Sequence, residues 1–275
     1  MNFNVETNNY NKFDNKILQE KYSELVNMYL NEMYQSKKVA FYYENINDGT
    51  ILSFNRNICF YAASSIKILS CLMILEQAEQ NIISLDDKIL ITMNDLKQDT
   101  GIIKYQKQDT YYPLKELIEL TITESDNTAY LKLVDILGKE NIAAYGKSLG
   151  ATHTMEGKET DSFGIINCSD MIIYWKKVKE YLDSNQKYSK EFKDYLLNPS
   201  VKFIQDKNLE SKDFVRKYGS WDIAYHEAGF VDSKNPYYLI ILTQLNKLDY
   251  KEDFINDTAN KILEIHKILT KKESD

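Results

Sequence analysis

The stretch Phe60-Tyr61-Ala62-Ala63-Ser64-Ser65-Ile66-Lys67-Ile68-Leu69-Ser70-Cys71-Leu72-Met73-Ile74-Leu75 organises the reading of the chain. From Ile66 to Leu75 the apolar residues occupy every side of a 3.6-residue period, the pattern of a helix enclosed by protein on all faces. A helix is expected to begin at Ser64 and to end near Gln80. Lys67 falls inside this apolar surround, where an ammonium must find partners or give up its proton, and a lysine held neutral is a usable base. Spacing i, i+3 sets Ser64 beside it, at the positive end of the helix, so the pair reads as a nucleophile and its activator. Deleting the amine should relieve a burial cost, and a Lys67→Ala chain is expected to fold with its stability free to rise.

Ser-x-x-Lys alone is a weak signal, since Ser184 and Lys187 repeat it in the polar run Asp183-Ser184-Asn185-Gln186. The surroundings have to decide. Upstream, Asp14 to Tyr34 has the three-and-four spacing of an amphipathic helix. Val39–Glu44 and Thr50–Asn55 are β-rich runs joined through Asn47-Asp48-Gly49, a strong hairpin signal. Downstream, 85–92 and 110–113 read as extended or irregular, and helices are expected over 114–123, 128–137, 139–149 and 169–182. Strand patterns return at 214–221, 226–231 and 237–244, before a closing amphipathic helix over 254–269. Strands at both chain ends and helices between them imply an α+β fold, with one antiparallel sheet assembled from both ends, flanked by terminal helices, and an inserted all-helical subdomain. The expected division is one domain over 1–275, its sheet part at about 14–60 and 210–270 and its helical part at about 64–205, the two sharing one cleft.

Composition narrows the function classes. A net charge of −7, with Lys and Arg dispersed, argues against a nucleic-acid groove or an anionic-lipid surface. Cys59, Cys71 and Cys168 lie in or beside apolar stretches without Cys-x-x-Cys spacing, so buried thiols are expected and neither a disulfide framework nor a zinc site. His153, His226 and His266 show no metal spacing and read as surface or satisfied strand residues; no metal and no cofactor are expected. Met1–Asn15 is polar and Asn-rich, without the pattern of a secretory leader, and no run reaches the length of a membrane span. As written the chain is expected to be soluble and a monomer, without membrane contact.

Two further short signals stand at wide separation, Ser125-Asp126-Asn127 between two helices and Lys217-Tyr218-Gly219 at the start of a late strand. With Ser64-x-x-Lys67 they resemble, in that order, the three signatures of the penicillin-recognising serine hydrolases. Phe60-Tyr61-Ala62-Ala63-Ser64, Thr100-Gly101-Ile102-Ile103 and Glu124 to Ala129 are similar to class A β-lactamases in particular, over nearly the whole chain. The resemblance implies a three-layer α/β/α fold of β-lactamase/transpeptidase type and a hydrolase acting on β-lactams or related amides and esters through an acyl-enzyme. It implies Ser64 as the acylated nucleophile, Lys67 as its proton partner and Ser125 as the donor of a proton to the leaving nitrogen. Asn127 would bind the substrate's side-chain amide, Lys217 would supply fixed positive charge, Gly219 would let the strand approach substrate, and the backbone N–H groups of Ser64 and Ser220 would form the oxyanion hole. By resemblance the compartment is extracellular or the cell envelope if a leader or anchor was removed, and cytoplasmic if the chain is complete as given.

Two departures stand out. Tyr218 replaces a small hydroxyl residue and is expected to narrow the substrate cleft. Between Gly150 and Ser169 the segment that carries a deacylating Glu in class A enzymes is roughly a dozen residues short, with Glu156 and Glu159 its only glutamates, so weak deacylation is expected. Three other readings compete: a penicillin-binding sensor or degenerate binder without turnover, a peptidase or esterase on a cell-wall-like substrate, and a nucleophile elbow at Gly146-Lys147-Ser148-Leu149-Gly150. The elbow requires a strand before Ser148, where the pattern is helical.

Overall fold

The computed structural model describes residues 3–6, 16–30, 39–157, 162–245 and 251–271. In chain order its strands are β1 (Phe3–Glu6), β2 (Val39–Asn45), β3 (Ile51–Phe54), β4 (Phe60–Tyr61), β5 (Lys88–Ile91), β6 (Thr110–Pro113), β7 (Ile165–Ile166), β8 (Phe214–Trp221), β9 (Ala224–Val231) and β10 (Tyr237–Thr243). Its α-helices are α1 (Lys16–Tyr29), α2 (Lys67–Glu79), α3 (Leu114–Thr123), α4 (Asn127–Leu137), α5 (Lys139–Ser148), α6 (Cys168–Asp183), α7 (Ser189–Leu197) and α8 (Lys251–Thr270). Two compact units partition the chain, one of residues 1–60, 167–172 and 202–275, the other of 61–166 and 173–201.

In the first unit the β-branched and aromatic runs at both chain ends meet in one antiparallel sheet of order β1-β3-β2-β10-β9-β8. The hairpin read from Asn47-Asp48-Gly49 pairs Phe41 with Phe54 and Glu44 with Ile51; Gly49 takes φ 73, the left-handed conformation that glycine adopts without steric cost. Helices α1 and α8 pack together, and Tyr29 lies between them and the sheet, its ring within about 5 Å of Phe41, Phe54 and Phe254 and its hydroxyl 3.0 Å from Thr258 Oγ1. Leu18, Leu25, Leu239, Ile241, Ile255 and Ile262 complete that apolar layer. The strand β1 was absent from the sequence expectation: its backbone adds to β3 through Phe3 to Glu6, inside a stretch whose polar composition hides it. The expected helix over 14–34 is seen from Lys16 to Tyr29; its outer ends lie outside the described residues.

His266, read as a surface or strand residue, is instead a buried residue of α8. Its Nε2–H donates to the Asn235 carbonyl at 3.1 Å, so Nδ1 accepts from the Tyr43 hydroxyl at 2.8 Å and the ring is neutral. Burial holds its pKa at about 4, below the ordinary 6.5. A folded-state pKa depressed in this way means that the unfolded chain binds the proton better. The stability is therefore present above pH 6.5 and lost as pH falls from there toward 4. Between pH 7 and pH 4.5 the parent should lose roughly 2 kcal/mol more than His266→Gln, measured by denaturant unfolding; equal losses would place the acid sensitivity elsewhere.

In the second unit α2 packs against α3, α4 and α5. Ile68, Leu69, Cys71, Leu72, Ile74 and Leu75 are all buried, as a helix apolar on every side requires. Strands β5 and β6 form a separate antiparallel pair. Helix α7 was not anticipated, because only Ser189, Phe192 and Leu196 of its nine residues are buried and its apolar stripe is narrow. No helix among the described residues is long and apolar enough to cross a membrane.

Candidate active site

The α-helix does not begin at Ser64. Residues 63–66 form a 3₁₀ turn and α2 starts at Lys67, whose backbone N–H donates to the Ser64 carbonyl. Ser65 draws the turn tight, its hydroxyl donating to the Ala62 carbonyl at 2.6 Å. Ala63 sits at φ 46, a left-handed conformation uncommon for a residue with a Cβ and concentrated in proteins at functional turns. Ser64 itself is 6% exposed, and its hydroxyl has no hydrogen-bond partner among the described residues.

One turn on, Lys67 is fully buried. Its Nζ donates to the Ser125 carbonyl and to Asn127 Oδ1, both at 2.6 Å, and lies 3.3 Å from Ser125 Oγ. Two carbonyl-type acceptors fix two N–H bonds, which leaves the third position of the nitrogen facing the Ser125 hydroxyl. An ammonium donates there; a neutral amine accepts there. The same contact can therefore carry a proton in either direction. The rings of Tyr130 and Phe163 stand 5.3 and 5.8 Å from Nζ.

The Ser125-Asp126-Asn127 turn is no exposed loop. Ser125 is fully buried at φ 51, and Asp126 is the N-cap of α4, its Oδ1 accepting from Ala129 N–H at 2.9 Å. The other oxygen accepts from the N–H groups of Ile102 and Ile103 at 2.7 and 2.8 Å, and Asn127 N–H donates to the Thr100 carbonyl. Asp126 thus clamps the turn to segment 100–103, while Ser125 and Asn127 are presented to Lys67. Gly101 closes the clamp at φ +116, where a Cβ would lie 2.5 Å from the Asp126 Cα and nearer still to its carboxylate. Gly101→Ala should cost on the order of 3 kcal/mol and lower site activity together with melting temperature; an unchanged melting temperature would show that the clamp can relax.

The remaining signature residues lie on β8 of the first unit. Lys217 is fully buried, its Nζ donating to the Tyr218 carbonyl at 3.2 Å and standing 4.0 Å from the Tyr218 ring. That ring, expected to narrow a cleft, is itself 6% exposed and packs against Phe203 with centroids 5.0 Å apart. Across the ladder Gly219 pairs with His226, Ser220 with Tyr225 and Tyr218 with Glu227. Sequence reasoning missed Glu227, one carboxylate among many in the chain. It is fully buried, bonded through Oε2 to Ile204 N–H and 3.8 Å from Arg216, and burial pushes its pKa up to about 7 against the pull of that arginine. Arg216 in turn donates to the Ile204 carbonyl and pairs with Asp206.

The family whose model matches the chain is described as the Beta-lactamase enzyme family, over residues 18–266. The chain belongs to that family. A β-lactamase of Proteus vulgaris is 27% identical over 132 residues, 47% of this chain and 48% of the relative, so the chain matches about half the length of that relative. Among solved structures, a mutant of PBP-A in acyl-enzyme complex with penicillin G superposes with TM-score 0.80 at 20% identity, covering 91% of this chain and 97% of that one. A β-lactamase from Sphaerobacter thermophilus gives 0.80 at 18% identity, covering 90% and 98%, and a class A β-lactamase from Bacteroides cellulosilyticus gives 0.72 at 22%, covering 91% and 96%. At such identities the likeness establishes the α+β fold of the β-lactamase family.

Within a β-lactamase-family chain the position of the two candidate deacylation carboxylates matters. Glu156 is paired with His153 Nδ1 and its side chain is 57% exposed. Glu159 lies outside the described residues. Ser148 is the last residue of α5, and its hydroxyl donates to the Tyr145 carbonyl one turn back; a helix precedes it, so the nucleophile-elbow reading fails. Tyr130 and Phe163 were not singled out in the sequence. The first shares a helix face with Asn127 at i, i+3 and could have been found by that spacing; the second had no such signal.

Proposed function

We propose that this chain is a penicillin-recognising serine hydrolase that forms an acyl-enzyme on Ser64 and releases it slowly. The Ser64 oxygen attacks the carbonyl of a β-lactam or a related amide or ester. The new C–O bond forms as the C–N bond of the amide breaks, and the hydroxyl proton passes to Lys67. Through the 3.3 Å contact of Lys67 with Ser125 a proton is relayed to the departing nitrogen, so charge balances without an external acid. The single observation that carries the reading is the Lys67 amine held by Ser125 and Asn127 at 2.6 Å, which ties two of the three signatures into one proton path. The Asn127 Nδ2, whose oxygen serves Lys67, is then the donor assigned to a substrate amide. Lys217, Gly219 and Ser220 keep, as part of this proposal, the roles that the resemblance gives them.

A fluorescent penicillin tests it. The parent is expected to take a covalent label that survives denaturation, with the label mapped to the Ser64 peptide and absent from Ser64→Ala. Label that persists in Ser64→Ala, or that maps to Ser148, would overturn the assignment. The exposure of Glu156 and its pairing with His153 favour slow release over efficient turnover, because that carboxylate is then not committed to a hydrolytic water.

A further inference from the structure

Two aromatic rings flank the Lys67 amine, and neither belongs to a signature motif. Tyr130 and Phe163 have centroids 5.2 Å apart, and Tyr61 lies 6.3 Å from Phe163. The segment carrying Phe163 is pinned on both sides of that residue. The Tyr130 hydroxyl donates to the Ser162 carbonyl at 2.6 Å, and Ala62 N–H, two residues before Ser64, donates to the Gly164 carbonyl at 2.9 Å. Gly164 takes φ +68, and a Cβ there would meet the backbone of Met155 and Glu156 at 2.8 Å, so the close approach of the two strands of chain requires glycine.

We propose that Phe163 is a positioning residue that sets the lifetime of the Ser64 adduct: with Tyr130 it forms an apolar wall beside Lys67 that withholds water from the acyl-enzyme. The inference rests on the acylation proposed above. Hydrolysis adds water to the ester carbonyl, breaks the bond to Ser64 Oγ and returns a proton to that oxygen. It requires a water oriented by a lone pair, and a phenyl ring offers none. Beside Lys67 the Tyr130 and Phe163 rings, 5.3 and 5.8 Å from Nζ, present carbon.

The test follows adduct formation and release by intact mass in the parent, Phe163→Ala and Phe163→Leu, with penicillin G, and repeats the release in added hydroxylamine. Phe163→Ala should release the adduct about 10-fold faster or more while acylating within about threefold of the parent, and hydroxylamine should strip its adduct faster than the parent's by a similar factor. Phe163→Leu, which keeps an apolar wall, should remain near the parent. Tyr130→Phe, which keeps the ring and loses the hydroxyl that bonds Ser162, serves if the alanine variant does not fold, and should also release faster. Unchanged release and unchanged hydroxylamine sensitivity in a variant that acylates normally would overturn the inference alone. A parent that takes no adduct would overturn the proposed function and this inference with it.

Discussion

Lys67→Ala is expected to lower the rate of Ser64 acylation by about 1,000-fold or more, measured with a reporter β-lactam under single-turnover conditions. The reason is geometric. Nζ lies against Ser125 Oγ and Asn127 Oδ1 at the start of α2, one turn after Ser64 of the preceding 3₁₀ turn. Under the proposed mechanism its removal takes away both the acceptor of the nucleophile's proton and the relay toward the leaving nitrogen, and residues that act as a unit fail together. The effect on stability runs against the sequence expectation. A buried lysine without partners would be a liability, but this one satisfies the carbonyl oxygens of Ser125 and Asn127, and an alanine leaves two buried acceptors without that donor. Lys67→Ala should therefore be destabilised by roughly 2–4 kcal/mol. A variant that acylates near the parent rate would make Lys67 structural; one more stable than the parent would restore the burial-penalty argument.

The second large effect concerns turnover. A positioned general base is commonly worth about 100- to 10,000-fold in a proton-transfer step, and the carboxylate of Glu156 is committed to His153 on the surface of its loop. Nitrocefin hydrolysis is expected to show a burst of one equivalent per protein followed by a steady rate at least about 100-fold slower than the burst phase. Glu156→Gln should leave both phases as they are. A fast steady state abolished by Glu156→Gln would mean that this side chain leaves His153 and serves the water; a fast steady state indifferent to Glu156→Gln and Glu159→Gln would assign both half-reactions to Lys67.

What the sequence disclosed, and what it withheld, follow from how local each feature is. The hairpin at Asn47-Asp48-Gly49 and the enclosed helix α2 are short-range patterns, and both were legible. The meeting of Lys67 with Ser125 and Asn127 agrees with motifs that carry fixed spacings. The 3₁₀ start at 63–66 was not legible, since it depends on Ser65 choosing the Ala62 carbonyl over solvent, a competition that composition does not resolve. Strand β1 was hidden for a related reason: it exists through backbone pairing with β3, which asks little of its side chains. Glu227 and Phe163 were invisible because their environments are made by residues distant in sequence, Arg216 and Ile204 for the one, Tyr130 and Ala62 for the other. For Tyr218 the size of the ring was legible, but its packing on Phe203 was not.

The most direct test is the time course of the intact mass of the protein after mixing with one equivalent of penicillin G. The expected result is a mass gain of one intact penicillin molecule, complete within the mixing period, localised to the peptide containing Ser64, and persisting for minutes to hours while free penicilloate accumulates slowly. Rapid appearance of penicilloate with no adduct at any time, or an adduct that persists in Ser64→Ala, would contradict it.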